Sequence, residues 1–128
     1  MKYLIDTHVL LWIITEDKKL SDIVKQIYLN SENEIFFSLA CIWEMAIKIS
    51  LGKIFIDQPL DKFIDKYIKG SNIEILMIDL QDVIKIETLP FFHRDPFDRL
   101  IIAQSIEKDI PILSSDSIFD AYTVKRIW

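Results

Sequence analysis

The chain is short of the residues that build several common kinds of site. Cys41 is its single cysteine in 128 residues, which excludes a disulfide framework and a zinc centre built on thiolates. Its histidines, His8 and His93, stand far apart and lack the spacing of a paired metal ligand. With Gly 2, there is no glycine-rich phosphate loop, and no serine sits in a nucleophile elbow. The scarcity of Gly and Pro, with 51% hydrophobic residues, also excludes a disordered or low-complexity chain. No apolar run approaches the ~20 residues of a membrane span. The run at residues 9–14 is too short, and no small-residue cleavage site follows it. A reduced, cytoplasmic setting is the expectation. Positive charge is in short supply too, since 15 basic against 20 acidic residues leave −5. That argues against a broad nucleic-acid surface, yet it suits a nuclease whose excess charge is concentrated in a metal site.

What the chain does have is a dense segment at residues 93–104, HRDPFDRLIIAQ. Asp95 stands as a helix N-cap and Pro96 takes the first helical position. Asp98 follows in the first turn, near the positive end of the helix. Ile101, Ile102 and Ser105 lie three, four and seven residues later, so Asp98 shares the side of the buried stripe. A carboxylate there is costly unless a helix terminus, a hydrogen-bond network or a metal ion compensates it.

Around this segment, short apolar runs alternate with amphipathic stretches. Strands are predicted at residues 2–5, 34–37, 74–78 and 111–113, with an edge strand within 123–127. Helices are predicted at 8–14 (capped by Asp6 or Thr7), from Ser21 with an inner stripe of Ile23, Val24, Ile27 and Tyr28, and at 39–51 behind Ser38. The last presents Leu39, Ile42, Trp43, Ala46, Ile47 and Ile49, and Gly52 stops it. An extended link at 53–59 precedes a helix at 60–69 closed by Gly70. Asp79 starts another helix running to about Thr88, and a short turn or helix covers 117–122. The alternation predicts a three-layer α/β/α sandwich, one domain over residues 1–128, with a mostly parallel sheet of four to five strands.

In an open parallel sheet, sites form beyond the carboxyl ends of the strands. Asp6 ends the first strand and Asp116 follows the fourth. Glu44 lies about two turns into the helix after the second strand, and Asp98 in the first turn of the helix before the fourth. This layout allows all four to share a crevice. Clustered carboxylates repel one another unless cations are present, and hard oxygen donors select Mg²⁺ or Mn²⁺. Such a site suits metal-assisted hydrolysis of a phosphodiester. Each residue also has a plainer reading: Asp95, Asp6 and Asp116 as helix caps, Asp98 as a complement to the helix dipole, and Glu44 as the partner of Lys48 four residues on. Cys41 reads as helix packing, and His8 and His93 as loop or cap residues.

The segments YLIDTHVLLW at 3–12, SLACIWEMAIKISLGKI at 38–54, LPFFHRDPFDRLIIAQ at 89–104 and ILSSDSIFDAY near the end together resemble PIN-domain proteins, in particular the VapC-type toxins of bacterial toxin–antitoxin pairs. The resemblance covers essentially the whole chain. It implies that Asp6, Glu44, Asp98 and Asp116 hold Mg²⁺ or Mn²⁺ for RNA cleavage, leaving 5′-phosphate and 3′-hydroxyl ends. It implies that Asp95 assists without touching the ion. Where many relatives have Thr, a hydroxyl is kept by Ser114 or Ser115, and Ser115 is retained as a candidate. Arg99 and His8 are candidate phosphate contacts. A homodimer is implied, bound by an antitoxin whose C-terminal segment covers the acidic groove, with Leu11, Trp12, Ile14, Ile23 and Ile27 available to either interface.

The leading expectation is therefore a Mg²⁺-dependent endoribonuclease, the toxin of such a pair. The alternative is a catalytically silent PIN-like module that binds RNA or protein. A phosphohydrolase with an aspartyl nucleophile is disfavoured, because His8 occupies the place of its second Asp.

Overall fold

The computed structural model describes residues 1–128. Five strands form one parallel sheet: β1 (Lys2–Ile5), β2 (Glu34–Ser38), β3 (Ile73–Leu76), β4 (Ile112–Leu113) and β5 (Arg126–Ile127), in the order β3-β2-β1-β4-β5. β1 is central because its apolar run is buried on both faces, with Leu4 and Ile5 wholly inaccessible. It pairs with β2 from Lys2↔Glu34 to Ile5↔Phe37, and with β4 at Ile5↔Leu113. The chain steps one way from β1 to β3, then crosses back to β4 on the far side of β1. Right-handed crossovers place helices before and after that reversal on opposite faces, which gives the three layers. The reversal puts the crevice of the sheet at the carboxyl ends of β1 and β4.

The helices are α1 (Thr7–Thr15), α2 (Asp22–Leu29), α3 (Leu39–Ser50), α4 (Leu60–Ile64), α5 (Leu80–Ile86) and α6 (Pro96–Lys108). Their starts follow local chemistry. The side chains of Asp6, Ser21, Ser38, Asp79 and Asp95 each accept a backbone N–H in the first turn of the helix that follows. The chain's two glycines both end helices. Gly52 adopts φ +70 after α3, and at Gly70 a Cβ would stand 2.7 Å from the Lys66 carbonyl.

Several elements differ from the sequence reading. The helix at 60–69 changes winding at Asp65, where a π-turn (Asp65–Lys69) continues α4. The third strand starts earlier, at Ile73, and ends at Leu76, because pairing with β2 ends at Ser38↔Leu76. α3 carries apolar residues on more than one face, and the stripe read from periodicity is only partly the buried one: Ile42 is buried and Leu39 and Ile49 pack against the core. Ala40, Cys41, Ile42 and Met45 are buried, while Trp43, Ala46 and Ile47 face outward. Ile23 of α2 is likewise exposed, leaving Val24 as its buried residue. No helix is long and apolar enough to cross a membrane.

Candidate active site

A cavity of about 270 Å³ opens where the reversal of the sheet places it, lined by Asp6, Thr7, His8, Leu11, Glu44, Lys48, Ile54, Asp95, Asp98, Ile101, Asp116 and Phe119. Asp6, Glu44, Asp98 and Asp116 are thus brought to one opening from α1's cap, α3, α6 and the turn after β4, with Asp95 beside them. Lys48 and His8 are the only basic side chains on its wall.

Each carboxylate is held differently. Asp6 is buried at the end of β1, where it accepts the Val9 N–H at 2.9 Å and the Ser114 hydroxyl. Burial raises its pKa, opposed by the Ser114 hydrogen bond. Ser114 also accepts the Asp116 N–H at 3.0 Å, so one hydroxyl ties the ends of β1 and β4 together. Asp116 caps the short 3₁₀ turn Ser117–Ala121 through Ile118 N–H. Glu44 pairs with Lys48 at 3.2 Å. Asp95 caps α6, with one oxygen accepting Phe97 and Asp98 N–H groups at 2.9 Å each. Asp98 Oδ2 meets His93 Nε2 at 2.7 Å. Burial pushes the Asp98 carboxyl up to about 6, against the pull of His93, and nearby Asp95 and Glu44 push it the same way. Beneath this floor, burial raises the Cys41 thiol, with Asp6, Glu44 and Asp98 adding to the effect. Cys41 is a buried packing residue without thiolate character.

Capping and cavity lining coexist: Asp6, Asp95 and Asp116 each cap the turn that follows and also line the cavity, and the Glu44–Lys48 pair forms on its wall. Two candidates go elsewhere. Arg99 is buried and does not reach the opening; its guanidinium donates to the carbonyls of Pro90, Leu89 and His93 and lies 4.2 Å from the Phe91 ring centroid. Three carbonyls of an irregular segment take those donors, which accounts for the inward-turned arginine. Ser115 is exposed and lines no part of the cavity; the hydroxyl that bonds Asp6 belongs to Ser114. His8 does line it, its ring 5.8 Å from Trp12.

The residue missed by sequence reasoning is His93, read as a loop residue and found on Asp98. Its signal was the spacing of five to Asp98 across a Pro-started helix, where the chain folds back over the first turn. The Ser38 to Gln104 hydrogen bond of 2.5 Å, which ties β2 to α6 under the site, left no signal at a separation of 66 residues.

The donor set fits a divalent, oxygen-preferring cation in chemistry and charge: carboxylates with raised pKa values in one cavity, and the Thr7 hydroxyl buried beside them with no hydrogen-bond partner. As they stand, no three of these side chains gather closely enough to hold one ion.

A parallel α/β sheet with carboxylates converging at its reversal point defines a class of acidic-site α/β proteins. Within it, the PIN domain model matches residues 3–125, and the chain belongs to that family. Its fold is shared with solved structures of low sequence identity. VapBC2 from Rickettsia felis, bound to a promoter DNA fragment, is 14% identical with a TM-score of 0.74 over 100% of this chain and 99% of that one. DNA-bound VapBC from Salmonella typhimurium is 15% identical with a TM-score of 0.68, covering 99% and 97%. FitAcB from Neisseria gonorrhoeae is 16% identical with a TM-score of 0.67, covering 100% and 97%. No curated protein sequence matches the chain.

Proposed function

We propose that this chain is a divalent-metal-dependent endoribonuclease, a single PIN domain over residues 1–128 that acts as the toxin of a toxin–antitoxin pair. The observation that carries the reading is the convergence of Asp6, Glu44, Asp98 and Asp116 on one cavity at the carboxyl ends of β1 and β4. Family membership and the VapBC and FitAcB folds support it. The four carboxylates supply oxygen donors for Mg²⁺, with Mn²⁺ as a substitute. A divalent cation held there would supply Lewis-acid charge and lower the pKa of a water, so that it could give up a proton and serve as the nucleophile on a phosphodiester near neutral pH. Asp95 fixes the first turn of α6 and so the place of Asp98. Ser114 fixes Asp6. Lys48 offers positive charge and His8 a ring nitrogen to a phosphate entering the cavity, and Leu11, Ile101 and Phe119 form apolar parts of its wall.

Partners follow from the same reading: an RNA substrate, a cognate antitoxin, and a second copy of the chain, in the cytoplasm. The second reading, a silent RNA- or protein-binding module, is favoured by one fact: each carboxylate already has a partner within the protein and no three gather on a point.

Incubation of a mixed tRNA and structured-RNA pool with Mg²⁺, Mn²⁺ or EDTA, using native protein and Asp98→Asn, separates the two. The nuclease reading expects metal-dependent cleavage that EDTA and the substitution both abolish. An intact pool in every lane, with RNA still retained by the protein, would favour the binding module.

A further inference from the structure

The arm at residues 89–95 is irregular in conformation yet densely anchored. Arg99 alone holds three of its carbonyls: Pro90 at 2.8 Å, Leu89 at 3.2 Å and His93 at 3.5 Å. The Phe91 ring covers the guanidinium. From the other side, the His93 N–H donates to the Tyr122 hydroxyl at 2.9 Å, and that hydroxyl is itself within 3.4 Å of Arg99 Nη1. The Phe92 ring packs edge-on against Tyr122 with centroids 5.3 Å apart. A buried arginine satisfying three carbonyls makes this segment a rigid support. Its His93 imidazole reaches Asp98, with Nε2 2.7 Å from Oδ2.

The helix start does not need that contact. Asp95 already accepts the Phe97 and Asp98 N–H groups, and Pro96 has none to satisfy. His93 itself does not line the cavity. Its hydrogen bond falls on one oxygen of Asp98 and leaves Oδ1, which takes no hydrogen bond from the protein, for a ligand.

We infer that His93 is a positioning residue: its Nε2–H holds Asp98 Oδ2, and the Arg99–Tyr122 anchor holds His93 in place to do so. The inference rests on the reading of Asp98 as a metal ligand given above. Facing an ionised Asp98, Nε2 donates both in the protonated ring and in the neutral ring that carries its hydrogen on Nε2, so no change of charge is required of it. Such supports fix the rotamer of a ligand, and their loss typically weakens metal affinity about 10- to 100-fold.

The test is Mn²⁺ affinity by titration calorimetry on the full chain, beside thermal unfolding, for native protein, His93→Ala and His93→Gln. The Gln amide nitrogen can occupy the place of Nε2. The expected result is a loss of about 10- to 100-fold in affinity for Ala, with most of it recovered in Gln. Should Ala fail to fold, the comparison of Gln with native decides, and near-native affinity in Gln is the expected outcome. His93→Ala binding as tightly as native, or a folded Gln variant losing affinity as far as that, would overturn the role of His93 while leaving the metal site standing. Native protein that binds no Mn²⁺ would overturn the site reading and this inference with it.

Discussion

The molecule carries two acidic clusters, and they are resolved in opposite ways. At the carboxyl ends of β1 and β4, carboxylates surround a cavity whose basic residues are Lys48 and His8 alone. On α5, Asp79 and Asp82 form a reciprocal capping box, and Lys108 from the end of α6 reaches both, at 3.0 and 2.6 Å. The second cluster is closed. Asp82 is wholly buried, but its two oxygens are taken by a lysine and a backbone N–H. Its partner Asp79 has a lowered pKa, chiefly through the Lys108 hydrogen bond. In the first cluster burial wins and the pKa values of Asp6 and Asp98 rise. Asp79 and Asp82, closed around one lysine, hold the fold together, whereas carboxylates with raised pKa values around an open cavity are candidates for ligand chemistry.

Breaking the closed cluster gives the largest effect. Lys108→Met leaves Asp82 buried without its cation and should cost about 3 kcal/mol in urea unfolding. Asp98→Asn does the reverse at neutral pH: it removes a charge that burial disfavours, so the unfolding temperature should hold or rise while RNA cleavage is lost. A variant with cleavage intact would remove Asp98 from the site.

The two clusters also predict opposite pH slopes. Asp98 has a folded-state pKa raised from 3.8 to about 6, so the stability it contributes is complete below pH 3.8 and is lost as pH rises through about 6. Asp79 is lowered from 3.8, so its contribution is present above that pH and is lost as pH falls below it. Urea unfolding from pH 3 to 8 reads both. Asp98→Asn should flatten the fall between 4 and 6, and Asp79→Asn should weaken the loss at the acid end. The smallest expected effect is Tyr122→Phe, which deletes the acceptor of the His93 N–H and should cost about 1 kcal/mol.

The sheet was readable because its strands are short apolar runs closed by polar residues, and the same closure placed Asp6 and Asp116 at strand ends. Asp98 was readable through its spacing to Ile101 and Ile102. The sequence showed little of how these side chains are held. Nothing within LQDVIKI marks Asp82 as buried, because Lys108 lies 26 residues away and only packing of α5 on α6 joins them. Arg99 looked like a phosphate contact because nothing local shows that the carbonyls of Leu89, Pro90 and His93 take its guanidinium. On α3, Trp43 and Ile47 are as apolar as the residues actually buried, and periodicity cannot rank two apolar faces of one helix.

The most direct test of the contrast between the clusters is the Mn²⁺ dependence of thermal unfolding in native protein, Asp98→Asn and Lys108→Met. A cation bound only by the folded state, at a hundred times its dissociation constant, adds about 2.7 kcal/mol. The account predicts that Mn²⁺ raises the unfolding temperature of native protein and of Lys108→Met alike, and leaves Asp98→Asn nearly unmoved. An equal shift in Asp98→Asn, or none in native protein, would contradict it.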